Sequence, residues 1–275
     1  MSYQLDDLLY LMERLRDPQH GCPWDQQQTF ASIVPHTLEE AYEVADAIAE
    51  GDFEQLSDEL GDLLFQVVFY AQLGREAGHF DWSAVVDGIT RKLLRRHPHV
   101  FPDGELRTPP GTLQLAEHQI KERWEQIKAE ERAEKAVRAG APEQLSLLED
   151  VPRALPALSR AQKLQKRASG AGFDWPTVAP VIDKIAEELE EVREAIGRRE
   201  KDAIEEEVGD LLFAMVNLAR HLKIDAETAL RGGNEKFERR LRYIETALTT
   251  AGECFADTPL QRLDDLWDEA KKQGL

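Results

Sequence analysis

Apolar residues recur along this chain at intervals of three and four, the period of a helix with one face turned inward. Residues 59–71 show it most clearly. Leu60, Leu63, Leu64, Val67, Val68 and Ala71 fall at i, i+3, i+4 and predict one buried stripe. Runs of alternating β-branched residues are missing, so the predicted class is all-α. Pro18, Pro23, Pro35, Pro98, Pro102, Pro109, Pro110, Pro152, Pro156, Pro176 and Pro259 stand where helices are expected to start or stop. Residues 121–138 are highly charged without interruption and predict a solvated helix. Residues 139–156 mix small, acidic and proline residues and read as a linker. That divides the chain into an N-terminal module with a charged trailing helix, residues 1–138, and a C-terminal module, residues 157–275.

An internal repeat relates the two modules. Displaced by 148 positions, residues 36–71 lie over 184–219 without a gap, with 14 of 36 positions identical. The matches include Glu39/Glu187, Glu40/Glu188, Glu43/Glu191, Glu59/Glu207, Gly61/Gly209 and Asp62/Asp210, followed in both by Leu-Leu-Phe. Two long copies indicate duplication of a helical unit rather than a solenoid of many short repeats.

Each copy reads Glu-Glu-x-x-Glu and then Glu-x-x-Asp. Residues three apart share a helix face, so Glu40 pairs with Glu43 and Glu59 with Asp62. Glu50-Gly51-Asp52 predicts a helix stop and a new start. In an antiparallel hairpin turning at Gly51, Glu43 and Glu59 lie at one depth and Glu40 and Asp62 at another, roughly 12 and 16 Å from the apex. The same equality holds about Arg199 for Glu191/Glu207 and Glu188/Asp210. Four carboxylates facing one another repel by several kcal/mol without a cation. Hard divalent ions prefer such oxygen donors, and Mg²⁺ keeps positions for phosphate. A lone Glu-x-x-Glu is usually a solvated face; the level-matched quartet, present twice, predicts metal sites. A di-iron bundle would need Glu-x-x-His pairs, which are missing from both acidic quartets.

Charge then changes the picture. With 53 acidic and 34 basic residues the 275-residue chain carries a formal charge of −19, which disfavours a nucleic-acid partner. Any polyphosphate ligand therefore needs cations placed deliberately. Lys92, Arg95 and Arg96 share the spacing i, i+3, i+4, and so do Lys236, Arg239 and Arg240, about 30 residues after the acidic quartet of each copy. Such clusters can hold phosphate oxygens, and Asn234 can add a neutral donor. Trp24, Phe30, Phe173, Trp175 and Trp267 are candidates to stack on a base. Mean hydropathy is −0.50 and no apolar run approaches a membrane span. The N-terminus carries acids within its apolar stretch, unlike a signal peptide, and Cys22 and Cys254 form no disulfide framework. The expected compartment is the cytoplasm.

These residues resemble the MazG family of nucleoside triphosphate pyrophosphohydrolases over nearly the whole chain. The most selective stretches are Leu15-Arg16-Asp17-Pro18 running into Gly21-Cys22-Pro23-Trp24-Asp25-Gln26, and Asn234-Glu235-Lys236-Phe237-Glu238-Arg239-Arg240. Leu38-Glu39-Glu40-Ala41-Tyr42-Glu43-Val44 and its second-copy counterpart add to them. The resemblance implies two tandem helical-bundle modules of the all-α NTP pyrophosphohydrolase type in a homodimer. It implies Mg²⁺-dependent hydrolysis of standard or aberrant NTPs and dNTPs at the α–β bond. By it, Glu188, Glu191, Glu207 and Asp210 are magnesium ligands. Lys184–Glu188, including Glu187, then Ala203–Glu206 and Lys236–Arg240, joined by Trp267, contact nucleotide. The C-terminal module is the expected seat of hydrolysis, with Glu187, Lys236 and Arg239 in catalytic roles. Glu40, Glu43, Glu59 and Asp62 form a second site expected to be silent. Thr90 replaces Asn234 there, and His97-Pro98 ends the basic helix early. Two rival expectations are a nucleotide- or metal-sensing binding module and an enzyme of the all-α dUTPase class.

Overall fold

A computed structural model describes residues 2–107, 116–138, 146–149 and 151–275 of the chain. Regular structure among these residues is helical, with no strand. The chain divides into two compact units, Met1–Ala139 and Gly140–Leu275. Much of the expected linker, together with Pro109 and Pro110, lies outside the described residues.

The N-terminal unit contains α1 (Leu5–Leu15), α2 (Pro23–Gln27), α3 (Phe30–Glu50), α4 (Phe53–Glu76), α5 (Trp82–Arg96) and α6 (Glu117–Arg138). Helices α3 and α4 form an antiparallel hairpin, α1 and α5 pack on α4, and α6 packs on α5. Thr29 starts α3 with a reciprocal cap: its Oγ1 accepts from the Ser32 amide at 3.2 Å, and its own amide donates to Ser32 Oγ at 2.8 Å. That cap draws the helix start ahead of Pro35, which sits inside α3 rather than at its boundary. A proline near a helix start forfeits one amide bond, and the cap offsets part of that loss. Gly51 ends α3 at φ +73°, and Asp52 caps α4 through the amides of Glu54 and Gln55.

The expected single stripe on residues 59–71 divides in two. Val68 and Ala71 are buried, and Val68 joins Met12, Ile33, Phe69 and Leu73 in the core. Leu60, Leu64 and Val67 are exposed. Helix α4 is apolar over a wider arc than its own unit covers, and periodicity alone does not say which part meets a neighbour.

The most selective sequence motif locks the entry to this unit. A Cβ on Gly21 would stand 2.3 Å from the Leu15 carbonyl oxygen and 2.6 Å from that of Asp17, so only glycine fits. The Asp17 carboxylate accepts from the amides of Gln19 and His20, which holds its carboxyl below the usual aspartate range. Arg16, nearly buried, pairs with Glu76 at 2.6 Å, donates to the Asp25 carbonyl and lies over the Phe69 ring. One guanidinium thus ties α1, α2 and α4 together.

The C-terminal unit contains α7 (Ala157–Gly170), α8 (Ala179–Arg198), α9 (Lys201–His221), α10 (Ala226–Ala251), a short 3₁₀ turn (Phe255–Asp257) and α11 (Leu260–Lys272). Helices α8 and α9 repeat the hairpin, α7 and α10 pack on α9, and α11 packs on α10. The turn residue corresponding to Gly51 is Arg199, also left-handed at φ 58°. Asp174 ties the α7–α8 loop to α9 by pairing with Arg220, with His221 at 3.0 Å and with Ser169 at 2.7 Å. The Arg220 hydrogen bond above all holds the Asp174 carboxyl far below the usual aspartate range. Val208, Leu212 and Met215 on α9 are exposed, as are Ile182, Leu189 and Ile196 on α8. They repeat the uncovered apolar arc of the first hairpin.

Candidate active site

Helix rise and the tight turn between α8 and α9 set the heights of the carboxylates. Glu188, on the inner face of α8, and Glu207 and Asp210, one turn apart on α9, each offer an oxygen within 4.8 Å of the others. Glu188 is only 5% exposed. Glu191 lies one turn along α8; burial and then a hydrogen bond shared with Glu188 push its carboxyl above the usual range, while Lys184 opposes the shift. The first hairpin brings Glu40, Glu43 and Glu59 within the same 4.8 Å. Asp62 faces this group: burial first, then the charges of Asp62 and Glu43, push the Glu40 carboxyl upward. Gln66, itself buried, adds a contact to Glu40 at 3.5 Å.

All donors in both groups are carboxylate oxygens, and like charge accumulates at close range. That donor chemistry fits a hard divalent cation with oxygen preference and does not suit a soft metal. Three groups within one ion's reach, with a fourth beside them, leave further positions for water or phosphate.

The two groups differ in what surrounds them. Lys184 Nζ stands 2.7 Å from Glu187 and 2.8 Å from Glu188, and the two hydrogen bonds hold its ammonium well above the usual lysine range. The same position in the first hairpin is His36, whose Nδ1 is 3.7 Å from Glu39. The i, i+3, i+4 spacing of Lys184, Glu187 and Glu188 was a legible signal for this counter-ion. Glu187 is exposed beside Lys184. Ala203 is half-buried and Glu206 exposed in the first turns of α9.

The basic clusters also differ. On α10, Lys236 and Arg239 are exposed; Arg239 has a 3.9 Å contact to Glu235 of its own helix, and no carboxylate pairs with Lys236 among the described residues. Asn234 is exposed on the same helix. Arg240 donates to the Leu275 carbonyl at 2.8 Å and lies 5.2 Å from the centre of the Trp267 ring, on which Phe237 also packs. Trp267 is half-buried against the core of Ile244, Leu248 and Leu266, so it has a packing role as well as the contact with Arg240. On α5, Arg95 and Arg96 are instead paired with acids of α6, a covering the sequence reading did not anticipate.

Of the remaining aromatic candidates, Phe30 stacks on Tyr70, and Trp24 meets His36 edge-on at 5.9 Å. Phe173 is 85% exposed, and Trp175 is also exposed on the same loop.

Two segments of the chain, residues 28–101 and 177–244, match the family described as the MazG nucleotide pyrophosphohydrolase domain. The chain is 52% identical to the nucleoside triphosphate pyrophosphohydrolase of Escherichia coli K12, over 99% of this chain and 98% of that protein. It is 41% identical to the Thermotoga maritima nucleoside triphosphate pyrophosphohydrolase/pyrophosphatase MazG, over 97% of this chain and 95% of that protein. A solved MazG-related protein from Thermotoga maritima aligns with 46% of this chain and 99% of its own length, at 22% identity and a TM-score of 0.38.

Proposed function

Since the chain belongs to the MazG nucleotide pyrophosphohydrolase family, we propose that it hydrolyses NTPs and dNTPs to nucleoside monophosphate and pyrophosphate in the C-terminal unit. The observation that carries this reading is the Glu188, Glu207 and Asp210 cluster, with Glu191 beside it and Lys184 against Glu188. We assign the modules to residues 1–138 and 157–275, joined by residues 139–156.

Glu188, Glu191, Glu207 and Asp210 would hold the cation, which we assign as Mg²⁺. When bound, that ion neutralises phosphate oxygens and makes the α-phosphorus more electrophilic. Lys184, Lys236, Arg239 and Arg240 supply the remaining positive charge for the triphosphate, with Glu206 and Ala203 at the start of α9 lining it. Glu187 accepts a proton from the attacking water. The water oxygen bonds to the α-phosphorus, the bond to the bridging oxygen breaks, and pyrophosphate departs toward the basic face of α10. Trp267 offers its free edge to the base.

The uncovered apolar arcs on both hairpins support self-association. Leu212 and Met215 on α9, and Ile182, Leu189 and Ile196 on α8, need a second apolar helix face to leave water. A homodimer supplies one. No described helix is long and apolar enough to cross a membrane, and we assign the enzyme to the cytoplasmic nucleotide pool, where removal of aberrant triphosphates is its task. The acidic surface disfavours nucleic acid as a partner.

The test is a panel of NTPs and dNTPs with Mg²⁺, analysed for monophosphate and pyrophosphate against diphosphate and phosphate. Glu191→Gln abolishes release of both products, while Glu43→Gln leaves it intact. Equal loss in the two variants overturns the choice of unit, and diphosphate plus phosphate overturns the bond assignment. A Leu212→Asp variant that sediments like the parent removes the dimer reading.

A further inference from the structure

The basic face of α5 in the N-terminal unit is already occupied by carboxylates of its own chain. Arg95 donates to both oxygens of Glu134 at 2.8 Å and reaches Glu130 at 3.5 Å. Arg96 makes a two-point contact with Glu131, Nε to Oε1 at 3.2 Å, and both side chains are less than one-fifth exposed. The Arg96 guanidinium also lies 5.9 Å from the centre of the Trp124 ring, whose face carries Lys128 at 4.0 Å. Ile127, on α6 between these acids and Trp124, is buried. Helix α6 is therefore seated by an apolar residue and a ring as well as by charge.

Fork-to-fork arginine–carboxylate pairs use the same donors in the same plane as arginine–phosphate pairs. Glu131 feels all three members of the α5 cluster: its carboxyl is held low by the Arg96 hydrogen bond, then by the charges of Arg96, Arg95 and Lys92. One carboxylate thus sits where three cations converge. In the C-terminal unit α11 packs on α10, but among the described residues none of its carboxylates pairs with the corresponding cations. Arg240 meets a carbonyl and a ring, and Lys236 has no acidic partner among the described residues.

We propose that α6 is a built-in competitor for polyphosphate: Glu130, Glu131 and Glu134 hold Lys92, Arg95 and Arg96 in place of phosphate oxygens and keep the N-terminal unit from binding a triphosphate. This rests on the reading of the two basic clusters as phosphate-binding faces. Removing α6 from α5 exposes a second polyphosphate site; conditions that weaken ion pairs, such as high salt, weaken the clamp and the ligand together.

The experiment is calorimetric titration of the full chain with inorganic tripolyphosphate and Mg²⁺, comparing the parent with Glu130→Gln/Glu131→Gln/Glu134→Gln. The triple variant gains one further binding event per chain, and adding Arg95→Ala and Arg96→Ala removes the gain. Because the half-buried Arg96–Glu131 pair also holds α6 in place, Glu134→Gln alone is the second variant. Its pair is exposed, so its loss leaves α6 seated, and it raises the N-terminal affinity by a smaller factor. A triple variant that folds cooperatively and binds no more tripolyphosphate than the parent overturns the proposal. So does a gain that survives removal of Arg95 and Arg96. A parent chain that binds none sinks the C-terminal reading, whereas the difference between parent and triple variant still decides the clamp.

Discussion

The two hairpins carry the same four carboxylates at the same heights, yet they settle the resulting repulsion by different means. In the second, Lys184 Nζ stands 2.8 Å from the nearly buried Glu188 and sets a cation against it. In the first, His36 occupies the corresponding position and reaches only Glu39, so Glu40 meets Asp62, Glu43 and Glu59 with Gln66 as a neutral neighbour. Downstream the relation inverts: the first unit's arginines are paired with acids of α6, whereas Lys236 and Arg239 of the second stay exposed. Ligand identity alone therefore does not set the two hairpins apart. The placement of cations does.

The largest effect expected from breaking this comparison is on turnover. Asp210→Asn lowers kcat by about 100-fold or more, the scale of losing an essential metal or charge-stabilising group. Asp62→Asn changes kcat less than about twofold. Steady-state release of monophosphate measures both, and comparable losses would mean that both hairpins work.

Next comes the counter-ion. Lys184→Met raises KM for NTP about tenfold, because one phosphate-facing cation is lost. The same change tightens Mg²⁺ binding, since no ammonium then competes for Glu188. His36→Lys does the reverse to metal binding in the first hairpin. Calorimetry with Mg²⁺ alone reads both, and changes of the same sign in the two hairpins would defeat the argument.

The hairpin turns give a smaller contrast. Arg199 adopts a left-handed conformation that costs an L-residue about 1 kcal/mol, and Gly51 adopts it freely. Arg199→Gly stabilises the C-terminal unit by about 1 kcal/mol in urea melts, and Gly51→Arg destabilises the N-terminal unit by a similar amount.

The smallest effect is on pH dependence. Glu40 has a folded-state pKa raised above its ordinary value of 4.5. Its contribution to stability is full below the unfolded pKa and is lost as pH rises through the folded one. In chelator, the N-terminal unit therefore weakens as pH climbs above the ordinary glutamate range, and Mg²⁺ reverses the loss. Thermal scans of Glu40→Gln, in which this slope is absent, check the assignment.

Much of this arrangement was legible before coordinates. The helical class, the duplicated hairpin and the equal depths of paired acids follow from a period of 3.6 and a symmetric turn, and the structure puts Gly51 and Arg199 at those turns. Less legible was which apolar residues are covered. Leu60, Leu64 and Val67 have the same spacing as Val68 and Ala71, and only the positions of α1 and α3 separate the two sets. Pro35 misled as a boundary because a cap six residues earlier outweighs one missing amide. The pairing of Arg96 with Glu131 joins residues 35 apart in sequence. No local pattern announces it, since acids are dense throughout that helix.

Gly21 has a consequence beyond its own loop. Any substituent there collides with two backbone oxygens, displaces the bend between α1 and α2 and loosens the hold of Arg16 on three helices. The motif around it is thus a latch for the fold.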